Sequence, residues 1–296
     1  MDPSPAALKI ARIRFDEILS DNTNISVSYC LQLEAIPSQI DLAIIATNAD
    51  VRMQVIKKML SLIKIKYMII EKVAFQTVED CVDAVKLFNK KKIGAWVNCP
   101  RRLHPLFSKL KDNMVNRTHR FIKVRGSKLG LASNAIHMLD LFSFLFGDQD
   151  ISVNLSKLHP RIYPAKRKGF IEIGGTVTFK NNKGDLLSLT DNMQKAQVTE
   201  MEFGYNKKKL LTIDNNNKSF SQYNQKQKII INGDFIMPLQ SDLTRPVLEE
   251  ILNTGSCGLT PLDESMKLHI AMLKGFIDHI SKYSATEINQ EFCPIT

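Results

Sequence analysis

Two short apolar runs constrain this chain most: Leu-Ala-Ile-Ile-Ala at 42–46 and Tyr-Met-Ile-Ile at 67–70. Each is continuous instead of alternating, so each needs cover on both faces, as a strand inside a parallel sheet has. Between them Val51, Val55, Ile56, Met59, Leu60 and Leu62 recur at helical spacing. Thr47-Asn48-Ala49-Asp50 stands ahead of them as a helix start with side-chain caps. Thr77-x-x-Asp80, in capping-box order, opens the next helix, whose apolar side is Val78, Cys81, Val82, Val85 and Phe88. A third strand at 93–97 holds the only tryptophan, Trp96. Single helices between closely spaced strands mean βαβ units and a parallel sheet. Ahead of them, the spacing predicts a helix over 6–19 and a short strand over 25–29.

After Pro100 the pattern changes. A helix is expected at 105–114, a strand at 121–124, and an apolar helix at 134–146 stopped by Gly147. From 151 to about 236 the periodicity is that of strands, with runs at 170–179, 186–190, 198–203, 210–213 and 229–231. Asn181-Asn182-Lys183-Gly184 reads as a hairpin turn between two of them. Helices at 243–253 and 262–280 follow. Consecutive strands with short turns make an open, mainly antiparallel sheet, and its outer face suggests a homodimer or homotetramer.

Composition excludes several classes. No apolar run reaches the roughly 18 residues a membrane helix needs, and the front lacks the order of a signal peptide, so a cytoplasmic location is expected. Five scattered cysteines with no C-x-x-C pair argue against a disulfide framework or a metal site, and free buried thiols are expected. The net charge of +10 is spread along the chain without a basic stripe flanked by aromatics, so no nucleic-acid partner is expected. A polyanion-binding protein driven by charge stays open as a lesser reading.

The chemistry begins with an absence. A dinucleotide fold opens with a strand and a G-x-G-x-x-G turn, whose bare backbone and helix N-terminus take the pyrophosphate. This chain has no glycine before Gly94. The expected fold class is therefore α/β. Residues 1–98 form an incomplete Rossmann-type parallel sheet, a shortened dinucleotide-binding domain. Residues 99–296 form an α+β domain for substrate and assembly. Asp2 has the look of the ribose-binding acid at the end of a second strand, and equally of a terminal capping residue. Polar groups stand at successive strand ends: Thr47 and Asn48, then Glu71 and Lys72, then Asn98 and Arg102. Open α/β sheets bind ligands along that edge. On the 134–146 helix Ser133 or Asn134, His137 and Asp140 recur every three or four residues. A histidine so placed suits general acid–base work, although a satisfied core histidine fits the same spacing.

Taken together, these segments resemble the Gfo/Idh/MocA family of nicotinamide-dependent oxidoreductases. Ile44-Ile45-Ala46-Thr47-Asn48 resembles its nucleotide-binding strand and loop, and Glu71-Lys72 its Glu-Lys-Pro motif. Arg102-Leu103-His104-Pro105 is similar to its Arg-x-x-Pro step, and His137-Met138-Leu139-Asp140-Leu141 to its His-x-x-Asp-Leu helix. The resemblance implies NAD or NADP, held by Asp2, Thr47, Asn48, Glu71, Lys72 and Asn98, with a weaker grip where the glycine loop is missing. It implies a sugar or nucleotide-linked sugar as substrate, with Lys72 and His137 catalytic and Arg102, Asn134 and Asp140 binding the sugar. Lys166-Arg167-Lys168-Gly169-Phe170 and Cys293-Pro294-Ile295-Thr296 are similar to members tied to bacterial capsule and surface polysaccharides. Two replacements depart from the family. Val73 follows Lys72 where the family has proline, so a trans bond is expected. Ser133 stands where many members have an aspartate. A non-catalytic or shortened member serving sugar binding or assembly is the alternative.

Overall fold

The computed structural model describes residues 1–18, 25–147, 149–194, 199–283 and 291–296. Residue 19 of the expected first helix and residue 198 of an expected strand lie outside the described residues. The first part runs α1 (Pro5–Ile18), β1 (Gln39–Ile45), α2 (Ala49–Leu62), β2 (Lys64–Ile70), α3 (Val78–Lys91) and β3 (Gly94–Val97). Next come α4 (Pro105–Met114), β4 (Arg120–Gly126), α5 (Leu131–Phe146), β5 (Ile151–Pro164), β6 (Ile171–Asn181) and β7 (Leu186–Asp191). Then follow β8 (Thr199–Tyr205), β9 (Lys208–Asp214), β10 (Ser219–Tyr223), β11 (Ile229–Asp234), α6 (Gln240–Thr254), β12 (Thr260–Pro261) and α7 (Leu262–Tyr283).

The first sheet has the order β1-β2-β3-β12. Its first three strands are parallel, with Ile44 beside Ile69 and Ile69 beside Trp96. Alternation along the strands sends Met68, Ile70 and Val97 to one face and Ile69 and Trp96 to the other. The first group joins the main core with α2, α3 and α7, while the second packs under Val247 and Ile251 of α6. That double cover accounts for the continuous run of β2; in β1, Ala43 and Ile45 are buried but Ile44 is not, so the cover expected on both faces fails there. β1 is an edge strand here, and its Ile44 is 43% exposed.

The second sheet has eight strands in the order β11-β10-β9-β8-β4-β7-β6-β5. It is antiparallel except at β4 and β7, which run parallel. α5 and α7 lie against its β5–β7 end. A buried bridge from Arg120 Nη2 to Asp185 Oδ2, 2.6 Å, ties β4 to the start of β7. The predicted turn joins β6 to β7, with Gly184 at φ +81°. Among the described residues no helix is long and apolar enough to cross a membrane.

Three expectations change. Residues 25–29 form no strand; residues 25–28 lie exposed with no neighbour to complete a ladder. The expected runs leave out β5, β10 and β12; Ser-Phe-Ser-Gln-Tyr of β10 is half-buried throughout and shows no clean alternation. α5 starts at Leu131 and not at 134, because its first turn finds partners outside the helix.

Candidate active site between the two sheets

Polar side chains gather where the expected strand ends meet α5 and β6. Glu71 Oε1 accepts from Asn98 Nδ2 and from Gln240 Nε2, each at 2.7 Å, which fixes that carboxylate between β3 and α6. Asn48 sits at the N-cap of α2 but does not cap it. Its Oδ1 accepts from Arg167 Nη1 at 2.6 Å, and Thr296 Oγ1 takes the Ala49 N–H at 3.2 Å instead. The expected local cap is thus replaced by two distant segments.

Arg52, one turn into α2 and 2% exposed, organises the strand ends. Its guanidinium donates to the carbonyls of Glu71 (2.7 Å), Ala74 (2.8 Å), Val73 and Thr47. Burial lowers its pKa to about 10, against the Glu71 and Asp50 charges that raise it. The Lys72–Val73 peptide is cis, which corrects the trans expectation drawn from the valine. The segment is held on both sides: Arg52 takes its carbonyls, and Ala74 N–H donates to His269 Nε2 at 3.1 Å. His269 Nδ1 donates to the Ser265 carbonyl at 2.8 Å, leaving Nε2 free to accept. Full burial pulls the pKa of His269 to about 4, so the ring is neutral at pH 7.

Lys72 crosses from β2 to α5, where Nζ donates to Asn134 Oδ1 at 2.8 Å and to the Ser133 carbonyl at 3.2 Å. Burial lowers its pKa first of all; Cys99, Glu71 and Glu172 act against that and Arg167 adds to it. His137 lies one turn further along α5. Burial drives its pKa well below the ordinary histidine range, helped by the Lys72 and Arg101 charges. Its Nδ1 is buried without a hydrogen-bond partner, as is Thr47 Oγ1.

A cavity of about 350 Å³ opens beside this cluster, lined by Thr47, Lys72, Ser133, Arg167, Glu172 and Thr296 among others. Its far wall is sewn in place by the segment 293–296. Cys293 N–H donates to Gln76 O at 2.9 Å, Ile171 N–H to Pro294 O at 2.9 Å, and Gln76 Nε2 to Ile295 O at 2.7 Å.

Not every expected residue joins the cluster. Asp2 accepts from Ser4 N–H at 2.8 Å ahead of α1 and does not line the cavity. Arg102 and Asp140 are engaged with each other: Nε and Nη2 reach the carboxylate at 3.0 Å each, and Thr260 Oγ1 also donates to it. With side-chain exposures of 9% and 1%, they clamp α5 to the turn after β3. Arg101, and not Arg102, is the guanidinium whose charge reaches His137. Sequence reasoning missed Arg52, Arg101, Glu172 and His269. Arg52 alone left a signal, as a cation inside the apolar face of an amphipathic helix.

The residues fit the nicotinamide end of a dinucleotide: a buried hydroxyl without a partner at Thr47, with amide, carboxylate and ammonium groups along one strand edge. Among the described residues no glycine-rich turn is present for a pyrophosphate.

Comparison with protein-family profiles and with curated sequences finds no match. Solved structures do match. UDP-N-acetylglucosamine 3-dehydrogenase GnnA from Acidithiobacillus ferrooxidans is 13% identical, with 79% of this chain and 77% of that chain covered and a TM-score of 0.61. An oxidoreductase from Agrobacterium radiobacter in complex with NAD+, L-tartaric acid and magnesium is 15% identical over 92% and 85%, TM-score 0.64. The super-repressor mutant of Gal80p from Saccharomyces cerevisiae is 12% identical over 90% and 83%, TM-score 0.65. At such identities the likeness is one of architecture, and in architecture this chain has the fold of the Gfo/Idh/MocA oxidoreductases.

Proposed function

We propose that the cavity is the active site of an NAD- or NADP-dependent oxidoreductase that interconverts a hydroxyl and a ketone on a sugar or nucleotide-linked sugar. The observation that carries this reading is Lys72, which lines the cavity and is paired with the first turn of α5, one turn before His137. Two of the three N–H groups of Lys72 are spent on Ser133 and Asn134. The third is free to donate to a reacting oxygen in the cavity. His137, neutral and with an unpartnered Nδ1, takes the hydroxyl proton as the carbonyl forms and returns it in reverse. Lys72 stabilises the negative charge that builds on that oxygen, in a site where burial strengthens the interaction. When bound, the nicotinamide supplies the two-electron acceptor for the hydride. Thr47, Asn48, Glu71 and Asn98 would hold it along the strand edge. The two stretches similar to capsule-associated members meet on one cavity wall, which favours a surface-polysaccharide building block as substrate.

Fluorescence titration with NADH and NADPH tests the reading. Saturable binding that Lys72→Met leaves in place, with loss of turnover on a sugar substrate, is the expected result. No binding at millimolar cofactor would remove the enzyme reading. A non-catalytic role in sugar binding or assembly would then stand, favoured by the same fold in the Gal80p super-repressor.

A further inference from the structure

Glu172 belongs to the second sheet, on β6, in an Ile-Glu-Ile alternation that from sequence reads as an ordinary solvent-facing position. Its side chain turns instead to the start of α5. Oε2 accepts from Ala132 N–H at 2.8 Å, and Oε1 accepts from Ser133 Oγ. These donors belong to the first turn of α5, whose backbone N–H groups have no partner within their own helix and favour a negative charge. Gly130, at the N-cap with φ +65°, makes the approach possible: a Cβ there would stand 2.8 Å from Ser133 Oγ, 2.9 Å from Asn134 Nδ2 and 3.2 Å from Glu172 Oε1. The same turn carries both acceptors of Lys72 Nζ. A chain of contacts therefore runs from β6 through α5 to the Lys72 ammonium in the turn after β2. It ends in the same cavity, which Glu172 and Lys72 both line.

We propose that Glu172 is the positioning residue of this site, holding the first turn of α5 so that Ser133 O and Asn134 Oδ1 keep Lys72 Nζ at the cavity. Glu172 reaches this turn from β6 of the second sheet, thirty-nine positions along the chain from Ser133. The inference rests on the reading of Lys72 as the donor to a reacting oxygen. The charged and titratable groups that bear on Lys72 are Glu71, Glu172, Cys99 and Arg167, and His137 lies near it. Burial pushes the Cys99 thiol well up, so at pH 7 it is uncharged; burial also raises Glu172, against the hydrogen bonds from Ser133 and Ala132 that favour its charged form.

The test needs neither cofactor nor substrate. Trace labelling of the whole chain with acetic anhydride across a pH series, read by mass spectrometry at Lys72 and normalised to exposed Lys9, gives the midpoint of Lys72 titration. Glu172→Gln removes the charge at nearly constant shape. Its expected effect is a lower midpoint, read as threefold to tenfold more free amine at pH 8, an order-of-magnitude figure for losing one nearby charge. Adding Ser133→Asp returns a carboxylate to the same turn and should bring the labelling back to within about twofold of the original. A role confined to stability would lower the melting temperature and raise the plateau rate, with the midpoint unmoved. A folded Glu172→Gln chain with that behaviour overturns the proposal. If Glu172→Gln does not fold, Glu172→Asp and Glu172→Asn isolate the charge at one shorter length, and equal midpoints in that pair overturn it as well. Failure of NADH and NADPH to bind would remove the proposed function and leave the link between Glu172 and Lys72 to be decided by the labelling.

Discussion

Replacing Arg52 by methionine is the sharpest test of how the strand ends are held. Methionine keeps the apolar stem and its volume but removes the guanidinium that collects four carbonyls from the turns after β1 and β2. Hydrogen bonds to a charged donor contribute about 1.5–3 kcal/mol each, and they do not add in full because the acceptors share one donor. Carbonyls left buried without a partner cost more than the bonds themselves were worth. Together these bracket the loss at about 3–5 kcal/mol, the range for breaking a buried charged network. For a chain of this size each kcal/mol moves the melting temperature by roughly 2–4 °C, so Arg52→Met should melt roughly 6–20 °C lower in a calorimetric scan. Arg52→Lys, with a point charge in place of the fork, should fall between. A methionine variant that melts within about 2 °C of the parent would refute the idea that Arg52 holds these turns.

Other outcomes follow from the same geometry. The fall of His269 from 6.5 to about 4 is worth about 3 kcal/mol. Because the unfolded chain takes the proton first, that stability is complete above about pH 6.5 and is lost as the pH drops toward 4. His269→Gln, which can still accept from Ala74 and donate to Ser265, should lack this slope in urea titrations run from pH 7 to 4. Asp140→Asn leaves Arg102 without its counter-charge and should cost about 3–5 kcal/mol, measured by chemical denaturation; an unchanged midpoint would show the pair to be dispensable. Ile229, Ile230 and Ile231 on β11 are about half exposed, which supports assembly through the second sheet. Light scattering should give two or four times the chain mass, and a monomer at micromolar concentration would count against it.

Much of the architecture was legible because it follows from local pattern. Both continuous apolar runs are strands, β2 covered on both faces and edge strand β1 on one, and the Thr77 cap, the Gly147 stop and the Asn-Asn-Lys-Gly turn carry their geometry in residue type. The strand-end residues Thr47, Glu71, Lys72 and Asn98 were also legible, since topology alone brings them to one edge. What stayed hidden depends on partners far along the chain. Glu172 looked like any outward residue of an alternating strand, and nothing in Arg101-Arg102 says which one turns toward His137. The strand expected at 25–29 failed for a similar reason: alternation describes a face, and a ladder also needs a neighbour. The cis bond after Lys72 could not be read from a valine.

The far wall of the cavity carries a consequence for synthesis. Its lining comes from residues 46–72, 133, 165–172 and 296, so segments some 250 positions apart in sequence must meet before it exists. During translation the β1–β3 sheet can form early from neighbouring segments, whereas the pocket waits for residues 293–296 to emerge and slot between Gln76 and Ile171. The cavity therefore depends on contacts of long sequence separation, whereas the βαβ pairings beside it are local.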